Sequence, residues 1–336
     1  MKALVCTTPR QFDYINTEMP VTAEGETLLK IERIGICGTD LHAFEGTQPY
    51  FNYPRILGHE LAATIVETKA DGFAAGDKVT IIPYMHCGNC IACNSGKNNC
   101  CVNMRVFGVH IDGGMREFVT VPNHALLKSE GLSLDELALV EPLAIGAHAV
   151  KRAAVANGEF VLVIGAGPIG LGIAQFARIA GAHVIVVDVI DDRLQFCTTH
   201  VGVKHTINPL KQDVMEALKQ ITSNNMPTVV MDATGNLKAI NNAFAYLAHG
   251  GRYVLVGLQK EHISFSHPEF HKREATLMSS RNANVSDFEH VMESIKNGLV
   301  QPANYITHKV AFSEVATQFE TWLNPNSKVV KAIVEF

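Results

Sequence analysis

Five of the eight cysteines fall between Cys87 and Cys101, while Cys6, Cys37 and Cys197 stand apart. Cys87, Cys90 and Cys93 follow C-x2-C-x2-C spacing and are trailed by Cys100 and Cys101, so four thiolates can converge on one ion, with either of the last two closing the shell. Zinc suits such a set. Its filled d shell imposes no geometry of its own, and four sulfurs complete a tetrahedron that organises a lobe poor in apolar core. With no open coordination position, the site is expected to be structural. A metal-free reactive or disulfide-bonded cluster is the competing reading. The start Met1-Lys2-Ala3-Leu4-Val5 turns polar without the apolar core or cleavage site of a secretory signal, so a cytoplasmic address is expected, and there clustered cysteines favour metal.

A second set is dispersed: Cys37 in Gly35-Ile36-Cys37-Gly38-Thr39-Asp40-Leu41-His42, His59-Glu60 after Gly58, and Glu141 in Val140-Glu141-Pro142-Leu143. Each fragment is weak alone, since a lone Cys after an apolar run is usually core and His-Glu pairs are common on surfaces. Their weight comes from company. Gly165-Ala166-Gly167-Pro168-Ile169-Gly170 matches G-x-G-x-x-G between the apolar run Phe160 to Ile164 and a helix-period stretch, and a further run, Val184 to Val187, ends at Asp188. In that setting Gly165 permits the tight turn, Gly167 lets the backbone approach a pyrophosphate, and Gly170 allows close helix–strand packing, while the helix N-terminus offers amide donors. Pro168 fits an early helical position, where its missing N–H costs little. A bare βα turn with Asp188 capping the next helix is the plainer alternative. Asp188 is expected to bind the adenosine ribose and to repel a 2′-phosphate, favouring NAD over NADP. Arg193 pulls the other way, as a cation able to reach a 2′-phosphate, but reads as a solvated helix residue. Hydride transfer from an alcohol needs an electrophile on the oxygen, and the dispersed set is suited to hold one.

Two kinds of element must position these residues. The first 140 or so residues alternate short apolar runs with Gly, Pro and Asp punctuation, at Thr27 to Ile36, Ala62 to Thr68, Asp77 to Ile82 and Arg116 to Val121, as in an irregular, mostly antiparallel β domain. From about Ala147, strand and helix patterns alternate through Arg252 to Val256, the rhythm of a doubly wound parallel sheet. After Arg281 one more helix, Ser286 to Asn297, and a final β run, Ser327 to Phe336, are expected. An inserted dinucleotide domain, with both termini completing the β domain, is the economical explanation. The chain has 336 residues, 47% of them hydrophobic, which suits two folded domains and argues against disorder. A net charge of −5 offers nothing to nucleic acid, and no apolar run is long enough to suggest a membrane span.

With GICGTDLH, GHE, the Cys lobe, EPLAIGAHAV and GAGPIG in order, the chain resembles the zinc-dependent medium-chain dehydrogenases/reductases along essentially its whole length. Glu141, where the alcohol dehydrogenases of that family have Cys, makes it similar to the polyol, threonine and sugar-acid branch. The resemblance implies an α/β protein: a GroES-like irregular β catalytic domain, 1–146 and 282–336, with a structural-zinc lobe at about 84–104, interrupted by a Rossmann NAD-binding domain, 147–281. It implies two zinc ions per chain. Cys37, His59 and Glu60 would hold the catalytic one, with Glu141 a fourth ligand or a partner of bound water, and Cys87, Cys90, Cys93 and Cys101 the structural one. It further implies that Thr39 takes the alcohol proton and passes it by way of the cofactor ribose to His42. A turn hydrogen bond for Thr39 and a surface role for His42 are the plainer alternatives. Asp40 is expected to orient His59.

Charge counting adds one expectation. Zinc with Cys37 and Glu60 is neutral and Glu141 makes the set −1, so Glu141 is expected to loosen when substrate binds. The segments His267 to Glu274 and Ser280 to Ala283 look like those of bacterial L-galactonate oxidoreductases and related sugar-acid dehydrogenases. Arg281 falls where sorbitol dehydrogenases have a substrate-cleft Arg, and its guanidinium suits an aldonate carboxylate; a domain-junction salt bridge is the bland reading. The expected partner is a small sugar acid or polyol, the chain itself forming a dimer or tetramer as the family suggests. A neutral polyol or L-threonine is the nearest rival substrate. A catalytically idle dinucleotide sensor and a zinc-finger nucleic-acid binder are rivals of other classes.

Overall fold

A computed structural model describes residues 1–49 and 51–336. The chain divides into two compact units, 1–142 with 284–336, and 143–283. The breaks fall within a few residues of positions 146 and 281, the first of them inside the helix Val140–Arg152.

The first unit is built on a seven-stranded sheet. Its order is Leu126–Lys128, Lys78–Ile81, Glu60–Glu67, Glu26–Gly35, Lys331–Glu335, Ile306–Ala311, with Phe118–Pro122 also paired to Glu26–Gly35. The strand Glu26–Gly35 is central because its apolar residues are buried along most of its length, Leu29, Ile31 and Ile34 completely. Two register matters place the chemistry. Gly35 pairs with Glu60 on one side and with Ile333 on the other, which brings the end of the chain beside the His59-Glu60 turn. No side chain larger than hydrogen fits at Gly35, where a Cβ would lie 2.0 Å from Glu60 Oε2.

The C-terminal part of this unit is richer than expected. The strand Ile306–Ala311 and the helix Val315–Leu323 accompany the expected helix, observed at Val285–Lys296, and the final strand, observed at Lys331–Glu335. Val-Ala-Thr-Gln-Phe-Glu-Thr-Trp-Leu mixes β-branched and aromatic residues that carry weak helix propensity. Burial decides the matter, because Val315, Phe319 and Trp322 fall on one helical face and join the core of the unit.

The second unit is a six-stranded, all-parallel sheet in the order His205–Ile207, His183–Val187, Phe160–Ile164, Val229–Asp232, Arg252–Leu255, Thr276–Ser279. That is the 3-2-1-4-5-6 order of a dinucleotide-binding sheet. The central strand reads Phe-Val-Leu-Val-Ile without alternation, as a strand covered on both faces must. Among the described residues no helix is long and apolar enough to cross a membrane.

Candidate active site and metal centres

Cys87, Cys90, Cys93 and Cys101 present sulfurs that all lie within 4.8 Å of one another. Cys90 Sγ is 3.5 Å from Cys93 Sγ, and Cys101 Sγ is 3.4 Å from Cys87 Sγ. These separations are far from a disulfide bond and close to the edge of a tetrahedron of sulfurs around zinc, about 3.8 Å for a 2.3 Å Zn–S bond. Backbone amides favour the thiolates: those of Cys93 and Val102 pull Cys90 down to about 6, and that of Asn89 lowers Cys87. Burial, with its neighbouring thiols, pushes Cys93 up to about 11. Four thiols at this spacing ionise together only around a cation, so the donor set fits a structural zinc. Cys100 is exposed and outside the group.

Cys37, His59 and Glu60 form the second group within the same 4.8 Å limit. Three elements deliver them: Cys37 caps the helix Gly38–Glu45, His59 follows the left-handed Gly58 turn, and Glu60 opens the strand Glu60–Glu67. Asp40, 1% exposed, joins the two turns by accepting Cys37 N at 2.9 Å and Gly58 N at 3.1 Å. It lies 3.7 Å from His59 Nδ1, too far for a hydrogen bond, so it orients the loops rather than gripping the ring. His59 Nδ1 is buried without a hydrogen-bond partner among the described residues. Burial by itself would lower the His59 pKa, but the Asp40 carboxylate and the Cys37 thiol raise it well above its ordinary value. A half-buried sulfur with a buried imidazole and a buried carboxylate, in an anionic setting, fits a zinc ion whose remaining position is open to substrate.

Glu141, in the first turn of the helix Val140–Arg152, is buried but not part of that group. Its carboxylate accepts the hydroxyl of Tyr84, itself buried, and desolvation pushes Glu141 up to about 7. Glu60 is held by Lys331, whose Nζ lies 2.6 and 2.7 Å from the two carboxylate oxygens. Burial would lower the Lys331 pKa, yet Glu60 and then Cys37 keep it raised. Neither Tyr84 nor Lys331 is foreseen from sequence. A lysine interrupting the apolar run Val329-Val330-Lys331-Ala332-Ile333-Val334 is the one signal that marks Lys331, and nothing comparable marks Tyr84. Thr39 and His42 share the helix Gly38–Glu45 three positions apart; Thr39 is half-buried, and the exposed His42 ring places Nδ1 3.1 Å from Thr47 Oγ1.

In the second unit, Gly167 caps the helix Pro168–Ile179 and Pro168 occupies its first turn. A Cβ at Gly170 would lie 1.8 Å from Gly165 O, whereas one at Gly167 would meet nothing within 4 Å. Gly170 is therefore a packing requirement, and Gly167 faces open space such as a pyrophosphate needs. Ile169 lies in the same first helical turn. Asp188 Oδ2 accepts Ala166 N at 2.7 Å and Oδ1 accepts Ile190 N at 2.9 Å, so part of its capacity goes to fixing these two turns. Arg193 Nη1 lies 3.9 Å from Asp188. Arg281 is exposed and follows the last strand of this unit.

Two family models match the chain: an alcohol dehydrogenase GroES-like domain over residues 23–131 and a zinc-binding dehydrogenase domain over 168–297. The chain belongs to the zinc-binding dehydrogenases. It is 42% identical to L-galactonate-5-dehydrogenase of Escherichia coli K12, over 100% of this chain and 99% of that one. Among solved structures it is similar to an alcohol dehydrogenase of Escherichia coli CFT073 complexed with NADH, at TM-score 0.92 and 30% identity, covering 100% and 99% of the two chains. It is similar too to a zinc-binding dehydrogenase of Sinorhizobium meliloti bound to NADP, at TM-score 0.92 and 28% identity, with the same coverage. Membership makes this zinc-type dehydrogenase an enzyme with a GroES-like and a Rossmann unit, as the sequence motifs imply.

Proposed function

We propose that this dehydrogenase oxidises a secondary hydroxyl of a sugar acid, an L-galactonate-like aldonate, passing hydride to NAD⁺ and releasing the hydroxyl proton. The observation that carries the chemistry is the convergent Cys37, His59, Glu60 donor set, its imidazole and carboxylate buried. The full-length likeness to L-galactonate-5-dehydrogenase supports the substrate class. Zinc supplies a Lewis acid for the substrate oxygen. Thr39, two residues from Cys37, would accept the hydroxyl proton, and the exposed His42, three positions further along the same helix, would be the last protein group to hold it before water. Cys87, Cys90, Cys93 and Cys101 hold the second zinc. On the cofactor, Gly165, Gly167, Pro168, Ile169 and Gly170 shape the pyrophosphate turn.

Asp188 retains lone pairs for the ribose hydroxyls, since each oxygen accepts only one of the backbone bonds described. Arg193 directs its charge toward that carboxylate, which supports NAD rather than NADP. Arg281 is assigned to the substrate carboxylate. A complete donor set argues against an idle sensor. The enzyme acts in the cytoplasm as a homo-oligomer, dimer or tetramer. NADH appearance, measured across aldonates, neutral polyols and L-threonine with and without chelator, tests the reading. Turnover of an aldonate above all polyols, abolished by chelator, is expected. Preference for a neutral polyol or L-threonine overturns the substrate class, and chelator-insensitive turnover overturns the metal's part.

A further inference from the structure

Glu60 is gripped before any metal arrives. Besides its two contacts to Glu60, Lys331 Nζ donates to Ile36 O at 3.1 Å, so all three ammonium protons have acceptors. Lys331 is 3% exposed and Glu60 fully buried. The facing backbone leaves Oε2 its place only because position 35 is glycine, where a Cβ would lie 2.0 Å from that oxygen. The sheet register enforces the meeting: Ile36 N bonds Ala332 O at 2.9 Å, next to Lys331 on the neighbouring strand. A buried ammonium close to a dication site is electrostatically costly, and an apolar residue of similar volume would pack there without that cost.

We propose that Lys331 is a positioning residue that holds Glu60 by both oxygens, so that Glu60 reaches the zinc only as a shared ligand and the ammonium balances the charge of Glu141. With the lysine counted, the dication, the Cys37 thiolate, the two carboxylates and the ammonium are neutral together. Charge alone therefore gives Glu141 no reason to loosen when substrate binds, contrary to the expectation from the ligands by themselves. The lysine weakens the hold on zinc and in exchange preserves its pull on the substrate oxygen.

The inference rests on reading Cys37, His59 and Glu60 as zinc ligands, and the test separates the two claims. Release of zinc to a chelator is followed for the fraction that Cys37→Ser eliminates, together with the visible spectrum of Co²⁺-exchanged protein. Lys331→Met is expected to release this zinc at least about tenfold more slowly, to show altered Co²⁺ bands, and yet to turn over more slowly. Lys331→Arg keeps the charge and behaves as wild type in release and spectrum. A merely structural lysine predicts the opposite sign, so equal or faster release in Lys331→Met overturns the proposal. Should that variant fail to fold with Glu60 unpaired, Glu60→Gln/Lys331→Met buries neither charge. It must release zinc more slowly than Glu60→Gln alone, and equal or faster release again overturns the proposal. Wild-type protein with no Cys37-dependent zinc defeats the ligand reading, and the lysine's role with it.

Discussion

Adding one methyl group at Gly167 separates cofactor binding from folding. The backbone there has φ −73° and ψ 179°, which alanine adopts freely, and its Cβ would meet no atom of the protein within 4 Å. Restricting the unfolded chain by Gly→Ala stabilises by about 0.4–1 kcal/mol, while alanine is the poorer helix N-cap by roughly 0.5–1 kcal/mol. The two offset, and the melting temperature should stay within about 2 °C of wild type. The cofactor meets the methyl group instead. Forcing one such group between backbone and pyrophosphate costs about 1–3 kcal/mol, or roughly 5- to 150-fold in Kd. Fluorescence titration of zinc-loaded Gly167→Ala with NADH, beside a thermal melt, reads both quantities. NADH binding within twofold of wild type would refute the assignment of that open space to the pyrophosphate. Gly170→Ala is the contrast: its methyl would strike Gly165 O, so it should lose both NADH affinity and stability.

Three further outcomes follow from the same geometry. In zinc-free protein Glu141 has a folded pKa of about 7 against 4.5 unfolded, so its favourable contribution is present below pH 4.5 and lost as pH rises through 7. His59, also raised, acts in the same direction; melts of the zinc-free protein should fall from about pH 5 to about pH 8, and a rise over that window would contradict the burial argument. Cys101→Ser should cost the protein one zinc per chain and much of its stability, whereas Cys100→Ser should leave two by metal analysis; equal losses would mean the lobe is wired differently. Arg281→Ala should raise KM for an aldonate at least about tenfold more than for a neutral polyol, as loss of a charge-assisted contact implies, and equal changes in steady-state assays would remove Arg281 from the substrate site.

Much of this enzyme was legible because its chemistry is written in short-range patterns. The four-cysteine lobe is contained within fifteen residues, and Gly165 to Gly170 make one turn whose steric demands need no distant partner. The alternation of strand and helix from Phe160 to Leu255 likewise announced the parallel sheet. The helix Val315–Leu323 escaped because burial of Phe319 and Trp322, not local propensity, makes it helical.

Sequence by itself determined which residues can bind metal and cofactor, since ligand type, cysteine spacing and glycine turns are properties of a few adjacent positions. Only the tertiary structure decided what those residues are held by. Tyr84 meets Glu141 across 57 positions and Lys331 meets Glu60 across 271. No local pattern encodes such pairs. They exist because the sheet register sets Ile333 opposite Gly35 and Gly35 opposite Glu60, and because a buried carboxylate must find a buried donor. The charge balance of the zinc site therefore depends on where the last strand docks, which the ligands' own sequence does not specify.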